Sequence, residues 1–274
     1  MRLTTRWGAA AVATITGLVL SGAPALAAAP GNDTSGSPDV IGSLPYSATI
    51  ITSDATTDAD DAQLNPDECG APATDASVWF TVTAPADGYL AADVSDSNYS
   101  AGVSVGQGTP GALTWLTCGS GGTAFEVVAG QTYTILAFDD QLDEAGNGGT
   151  LQITVDVAPP PPTIDVTVDP VGQFDSATGG AYLSGTVTCD EGADLAFVDL
   201  QLTQRVGRLL IRGYGGTEAV CTGEPEPWTV FITGDNGTFK GGKAVNVTVG
   251  VACNVTGCGE YLADQTVQLK GRKS

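Results

Sequence analysis

Four consecutive prolines, Pro159-Pro160-Pro161-Pro162, constrain this chain more than any other feature. Proline fixes φ and lacks a backbone donor, so no strand ladder or helix passes through the run, which forms a stiff polyproline spacer. The 274 residues therefore fall into two modules of ordinary domain size, residues 45–158 and 163–274, with 159–162 as the linker. On both sides of it, apolar residues come in short runs parted by Gly, Asp, Pro and Ser clusters, the pattern of strands rather than helices.

In the first module the runs are Tyr46 to Thr52, Ser77 to Val82, Gly88 to Val94, Gly102 to Val105, Ala112 to Thr117, Thr123 to Val128, Thr132 to Phe138 and Gly149 to Val157. Leu151, Ile153, Val155 and Val157 alternate with Gln152, Thr154 and Asp156, the two-residue period of a half-buried strand. Eight such runs fit a jelly-roll-like β-sandwich. The second module offers Ile164 to Val168, Ala181 to Cys189, Ala196 to Gln204, Leu209 to Arg212, Glu218 to Thr222, Trp228 to Thr233, Ala244 to Cys253 and Gln265 to Lys270. These fit an immunoglobulin-like sandwich, with Ala196, Val198, Leu200 and Leu202 on one face and Asp199, Gln201 and Thr203 on the other. The expected fold class is all-β, two sandwiches in series.

At the N-terminus Arg2 and Arg6 precede an apolar run, Trp7 to Leu20, and then Ala25-Leu26-Ala27. That order is a cleaved signal peptide over residues 1–27, the run being shorter than the ~20 residues a membrane span needs. Residues 28–44, rich in Gly, Ser, Pro and Asp, read as a flexible leader. The expected location is secreted, extracellular or on the cell envelope. Export places the six cysteines in an oxidising setting, where an even count means disulfides. Cys69 and Cys118 lie before the linker and Cys189, Cys221, Cys253 and Cys258 after it. Pairing within modules favours Cys69–Cys118, Cys189–Cys221 and Cys253–Cys258, with Cys189–Cys253 as the alternative across the sheets.

Composition excludes whole classes of chemistry. The chain has no His, so Ser-His-Asp and Cys-His nucleophiles and His-ligated zinc are absent. Its formal charge is −21, which disfavours nucleic acid and anionic membranes. The charge is unevenly divided: residues 28–158 hold 15 Asp, 3 Glu and no Lys or Arg, whereas residues 163–274 hold 13 acids and 8 bases. Carboxylates of the first module have no internal cation to pair with.

Asp139, Asp140, Asp143 and Glu144 follow a predicted strand and lead into Gly146-Asn147-Gly148-Gly149, a flexible oxygen-rich loop of the kind calcium takes. A solvated acidic turn accounts for the same residues. Asp58, Asp60, Asp61, Asp67 and Glu68 form a second acidic cluster. Trp115, Tyr99 and Tyr89 could stack on sugar rings, but two-sheet sandwiches need aromatic fill, and Trp79, Phe80, Trp115 and Trp228 are expected inside. Arg205, Arg208 and Arg212 belong to an expected hairpin whose charges blunt a sheet edge or meet an anionic polymer. Enzymatic routes that survive the loss of His are a carboxylate pair or a Ser-Lys dyad. Lys240, Lys243, Lys270 and Lys273 sit beside Gly or in the tail, poor places to depress a lysine pKa.

Ser77-Val78-Trp79-Phe80-Thr81-Val82, Gly88-Tyr89-Leu90, Trp115-Leu116-Thr117-Cys118 and Ala129-Gly130-Gln131-Thr132-Tyr133-Thr134-Ile135 resemble the bacterial pre-peptidase C-terminal domain family over about residues 45–157. That resemblance implies a jelly-roll module of exported proteins, with calcium bound in some members. Ser184-Gly185-Thr186-Val187-Thr188-Cys189, Cys221-Thr222-Gly223 and Pro227-Trp228-Thr229-Val230 are similar to an uncharacterised secreted bacterial domain family of unknown function. Cys253-Asn254-Val255-Thr256-Gly257-Cys258 has the spacing of a short Cys-closed loop in neocarzinostatin-type chromophore carriers. The expectation is a secreted, non-catalytic binding or accessory protein, calcium-stabilised through its acidic loop, with an extracellular protein or polysaccharide as partner. The alternatives are a small-ligand carrier and a carboxylate-dependent hydrolase.

Overall fold

The structure, a computed structural model, describes residues 28–57, 59–64, 69, 74–142, 146 and 148–271. The expected signal peptide lies outside them. The described chain is all-β apart from one 3₁₀ turn, Asp61–Leu64.

The first module contains β1 (Asp39–Ile41), β2 (Tyr46–Ile51), β3 (Asp75–Thr83), β4 (Gly88–Asp93), β5 (Ala101–Thr109), β6 (Ala112–Ser120), β7 (Gly122–Val127), β8 (Thr132–Asp139) and β9 (Thr150–Ala158). Antiparallel pairs nest inside one another: β2 with β9, β3 with β8, β4 with β7, β5 with β6. Rolling this nest up gives two sheets, β2-β9-β4-β7 and β1-β3-β8-β5-β6, which is the jelly roll. Their facing sides share one apolar core that includes Phe80, Leu90, Val103, Phe125, Ile135 and Ile153.

Two features differ from the expectation. The leader is built in: β1 pairs in parallel with Phe80–Val82 of β3, and buried Asn32 holds Trp79 by its side-chain amide, 3.0 Å from the Trp79 carbonyl, and by its own carbonyl, 2.8 Å from the Trp79 N–H. Its polar composition hid a segment that docks through backbone pairing. The connection from β2 to β3 then straps the outer face of the larger sheet. Leu64 of the 3₁₀ turn packs on Trp79, Leu136 and Phe138, and Cys69–Cys118 bonds the strap to β6. Sheet strands buried on both sides follow, so β3 and β8 are buried at almost every position.

The second module contains β10 (Ile164–Val168), β11 (Val171–Phe174), β12 (Ala181–Cys189), β13 (Leu195–Val206), β14 (Leu209–Glu218), β15 (Glu226–Ile232), β16 (Gly242–Asn254) and β17 (Gly257–Gly271). β12 lies between β10 and β15, while β17, β16, β13 and β14 form the second layer. Asp169-Pro170 breaks the first strand, and its continuation β11 crosses over to pair in parallel with β17. This is an immunoglobulin-like sandwich with a core that includes Leu183, Val198, Leu202, Trp228 and Ile232. The expected strand Glu218 to Thr222 is not one, because β14 takes its first residue and the rest runs as a loop to the Cys189–Cys221 bond.

The linker is gripped on its C-terminal side. Asn254 donates to the Pro160 carbonyl at 2.7 Å, and Asp190 accepts the Thr163 N–H and hydroxyl at 2.7 and 2.9 Å. Those two bonds hold the Asp190 carboxyl below its ordinary pKa. Cys253 and Cys258 face each other across the β16–β17 hairpin and are bonded, so the Cys189–Cys253 alternative is not formed. Three disulfides are what an oxidising or extracellular environment favours.

Candidate binding face

The outer side of the four-stranded layer β14-β13-β16-β17 carries the most unusual side chains of the molecule. Along β16 the residues alternate strictly, as a strand requires, but the polarity is inverted. Asn246 and Thr248 are 0% and 1% exposed, whereas Val245 and Val249 are 45% and 37% exposed. Val247 and Val251 share the valine side. The reason lies across the sandwich: a Cβ at Gly250 would stand 2.7 Å from Val166 and 3.2 Å from Ile164, so the inner positions of β16 must be small. Ala244, Asn246, Thr248, Gly250 and Ala252 meet that demand, and the larger valines are left outside.

Asn246 is satisfied only in part. Its amide nitrogen donates to the Thr248 hydroxyl at 2.6 Å, while its Oδ1 is buried without a partner. A buried unpaired acceptor costs ~1–3 kcal/mol, so this strand is not arranged for stability alone.

Cross-strand neighbours complete the face. Val249 stands between Asp199 of β13 and Leu262 of β17, and Val247 between Gln201 and Asp264. Tyr214 of β14 lies opposite Gln201 and receives its amide hydrogen bond at 2.6 Å. Gly216, on the same side as Tyr214, leaves room for the Asp199 carboxylate, into which a Cβ there would run; a Cβ at Gly215 would instead meet Val230 on the inner side. The result is an open depression of about 580 Å³ with Val247 and Val249 on its floor, Tyr214 at one side and the Asp199 carboxylate within it. Its volume lies in the range of small-molecule sites. Nothing in it resembles a nucleophile with a base; its chemistry is apolar contact plus one anion and one amide–phenol pair.

In the acidic turn Asp139 and Asp140 are both buried. Asp139 accepts the N–H groups of Gln141 and Gly148, each at 2.9 Å. Asp140 accepts the Leu142 N–H at 3.0 Å and the Ser120 hydroxyl at 2.7 Å. Asp143 and Glu144 lie outside the described residues. Among the described residues no group of three or more His, Cys, Asp or Glu side chains is gathered for a metal. In the second acidic cluster Asp60 accepts from Ser35 and Gln63 and Asp61 from Ser77, which fixes the strap; Asp58, Asp67 and Glu68 lie outside the described residues.

Trp79, Phe80 and Trp228 are buried, and Trp115 packs on the cluster beneath the strap. Tyr99 is enclosed enough that burial, chiefly, pushes its phenol up to about 12. None of these offers a free stacking face. A second, polar groove on the first module has Asp93 and Asp96 at its side, yet Asp93 accepts the N–H and hydroxyl of Ser95 and so builds a turn. Arg205, Arg208 and Arg212 lie on the β13–β14 hairpin, and β14 is the edge of its layer. Sequence reasoning missed the valine face because period two gives the alternation of a strand without saying which side is buried.

A model of a family of unknown function, DUF6299, matches residues 162–268, which is the second module. The first module's resemblance to the pre-peptidase family has no counterpart in that comparison. No curated protein matches the chain. Similar solved structures include a β-glucuronidase from glycoside hydrolase family 2, at 10% identity and TM-score 0.23, covering 70% of this chain and 24% of that one. An FMN-binding β-glucuronidase from Facaelibacterium prausnitzii L2-6 is similar at 14% identity and TM-score 0.26, covering 88% of this chain and 35% of that one. A GH2 β-galacturonidase from Eisenbergiella tayi bound to glycerol is similar at 8% identity and TM-score 0.23, covering 75% of this chain and 37% of that one. The chain thus spans a minor part of those enzymes' length, and overlaps of this quality transfer no activity to it.

Proposed function

We propose that this is an exported, non-catalytic binding protein whose working surface is the valine face of the second module. The observation that carries this reading is the inverted strand β16, which turns four valines to its outer side, Val245 and Val249 exposed and Val247 and Val251 half-buried, while burying Asn246 and Thr248. Exposed apolar patches rimmed by polar groups mark interaction sites. The ligand class that fits is a compact, largely apolar molecule with a hydrogen-bond donor or amine directed at Asp199, held between Tyr214 and Leu262. Lack of histidine and the structural employment of the described Asp93, Asp139 and Asp140 support a role without catalysis.

The test uses Nile red, an uncharged dye that brightens in apolar sites. Wild-type protein is expected to give a saturable rise in emission that the isosteric Val247→Thr/Val249→Thr sharply lowers, with the circular dichroism spectrum unchanged. Equal emission from the two proteins, or none from wild type, overturns the assignment.

A further inference from the structure

The whole-chain charge hides a strong polarity within the second module. Its six described cations, Arg205, Arg208, Arg212, Lys240, Lys243 and Lys270, are all exposed and lie at one end. They come from the β13–β14 hairpin, the start of β16 and the end of β17. Carboxylates at that end are those of Asp175 and Asp235. The linker is gripped at the other end, beside the β16–β17 turn.

Two amide side chains tie down the backbone at Lys240 and Arg212. Buried Gln204 donates to the Lys240 carbonyl at 2.7 Å and accepts its N–H at 2.9 Å. Asn236 accepts the Arg212 N–H at 3.1 Å and donates to the Leu210 carbonyl at 2.8 Å. The loop before β16 is thereby stitched to the hairpin. The hairpin itself closes through two residues, with Gly207 at φ +62 in the first, as a II′ turn requires. At its tip Leu209 and Leu210 are 62% and 39% exposed between the arginines.

We propose that this end of the second module is a peripheral docking surface for an anionic phospholipid bilayer. Cations alone would suit any polyanion, but two exposed leucines at the end of the sheet, where β14 leaves the turn, gain nothing from a soluble one, whereas a bilayer interface offers them an apolar layer beneath the charged headgroups. The acidic module does not prevent this approach. β16 spans 13 residues, or about 40 Å at ~3.3 Å per residue, against a Debye length of ~8 Å at physiological ionic strength. No described helix is long and apolar enough to cross a membrane, so the contact is superficial.

Co-sedimentation of the chain from Ala28 onward with vesicles of phosphatidylcholine, alone or with phosphatidylglycerol at three parts in ten, tests the proposal. Binding is expected only to the anionic vesicles and is lost in 0.5 M salt. Arg208→Glu should lower the partition coefficient about twenty-five-fold, two charges at about fivefold each, and Leu209→Ser about tenfold, with circular dichroism and melting unchanged for both. Equal binding to neutral vesicles overturns it. So does a loss in Arg208→Glu with none in Leu209→Ser, which assigns the surface to a soluble polyanion. Salt-sensitive self-association in sedimentation velocity without vesicles overturns it in favour of the acidic module of a second copy.

Discussion

Asp139 shows what a carboxylate does in a module without Lys or Arg. Its two oxygens take the N–H groups of Gln141 and Gly148, so the negative charge is met by backbone dipoles instead of a side-chain cation. Asp139→Ala leaves both N–H groups buried without an acceptor and is expected to destabilise by about 1–3 kcal/mol in urea unfolding. The sequence showed that Asp139 and Asp140 end a strand and begin a turn. It could not show their partners, because Gly148 follows by nine residues and Ser120 precedes Asp140 by twenty. Tyr99 carries a pH signature. Its phenol ionises near 12 in the folded chain against about 10 when free, chiefly because burial disfavours the anion. Its contribution is therefore complete below pH 10 and lost as pH rises through 12. Tyr99→Phe should flatten the alkaline fall in melting temperature between those values.

At the scale of elements, β16 separates what periodicity reveals from what packing decides. Ala244 to Cys253 was legible as a strand, while the choice of buried side depended on Val166 and Ile164 pressing on Gly250 from the opposite layer. If the polar inner residues serve only to keep the valines outward, replacing them by small apolar ones should do little harm to the fold. Asn246→Ala/Thr248→Ala is expected to melt within a few degrees of wild type, since it removes an unpaired buried acceptor together with its neighbour's hydroxyl and fits the small space left by the opposite layer. A melting temperature lower by several degrees would mean that the pair is needed for packing. The strand β13 was read with both faces correct, because Ala196, Val198, Leu200 and Leu202 are large or apolar enough to mark the core unaided. β1 and the strap were hidden for the opposite reason: their anchors are backbone pairs, a disulfide and Leu64, which leave little trace in local composition.

For the molecule as a whole, the three disulfides differ in what they hold. Cys69 and Cys118 are 49 residues apart and close the strap over a hydrophobic face, whereas Cys253 and Cys258, five apart, close a hairpin that already has its ladder. Loop-closure entropy assigns the first bond ~4 kcal/mol and the second ~2 kcal/mol. Cys69→Ser/Cys118→Ser should accordingly lower the melting temperature more than Cys253→Ser/Cys258→Ser, and a reversed order would show that the strap holds without its bond. Two sandwiches and their boundary were legible from the prolines and the strand rhythm. Placement of the cations at one end was not, since Arg205 and Lys270 are neighbours only once β13, β16 and β17 are laid side by side.

The parallel pairing of β11 with β17 has a mechanical consequence. A pull applied between the proline linker and the C-terminal end of β17 runs along these strands in opposite directions. The hydrogen bonds joining Val171–Phe174 to Gln268–Gly271 then bear the load together in shear, not one after another as in a zipper. A molecule held at the C-terminal end of β17 and tugged through its linker would thus resist by several bonds at once.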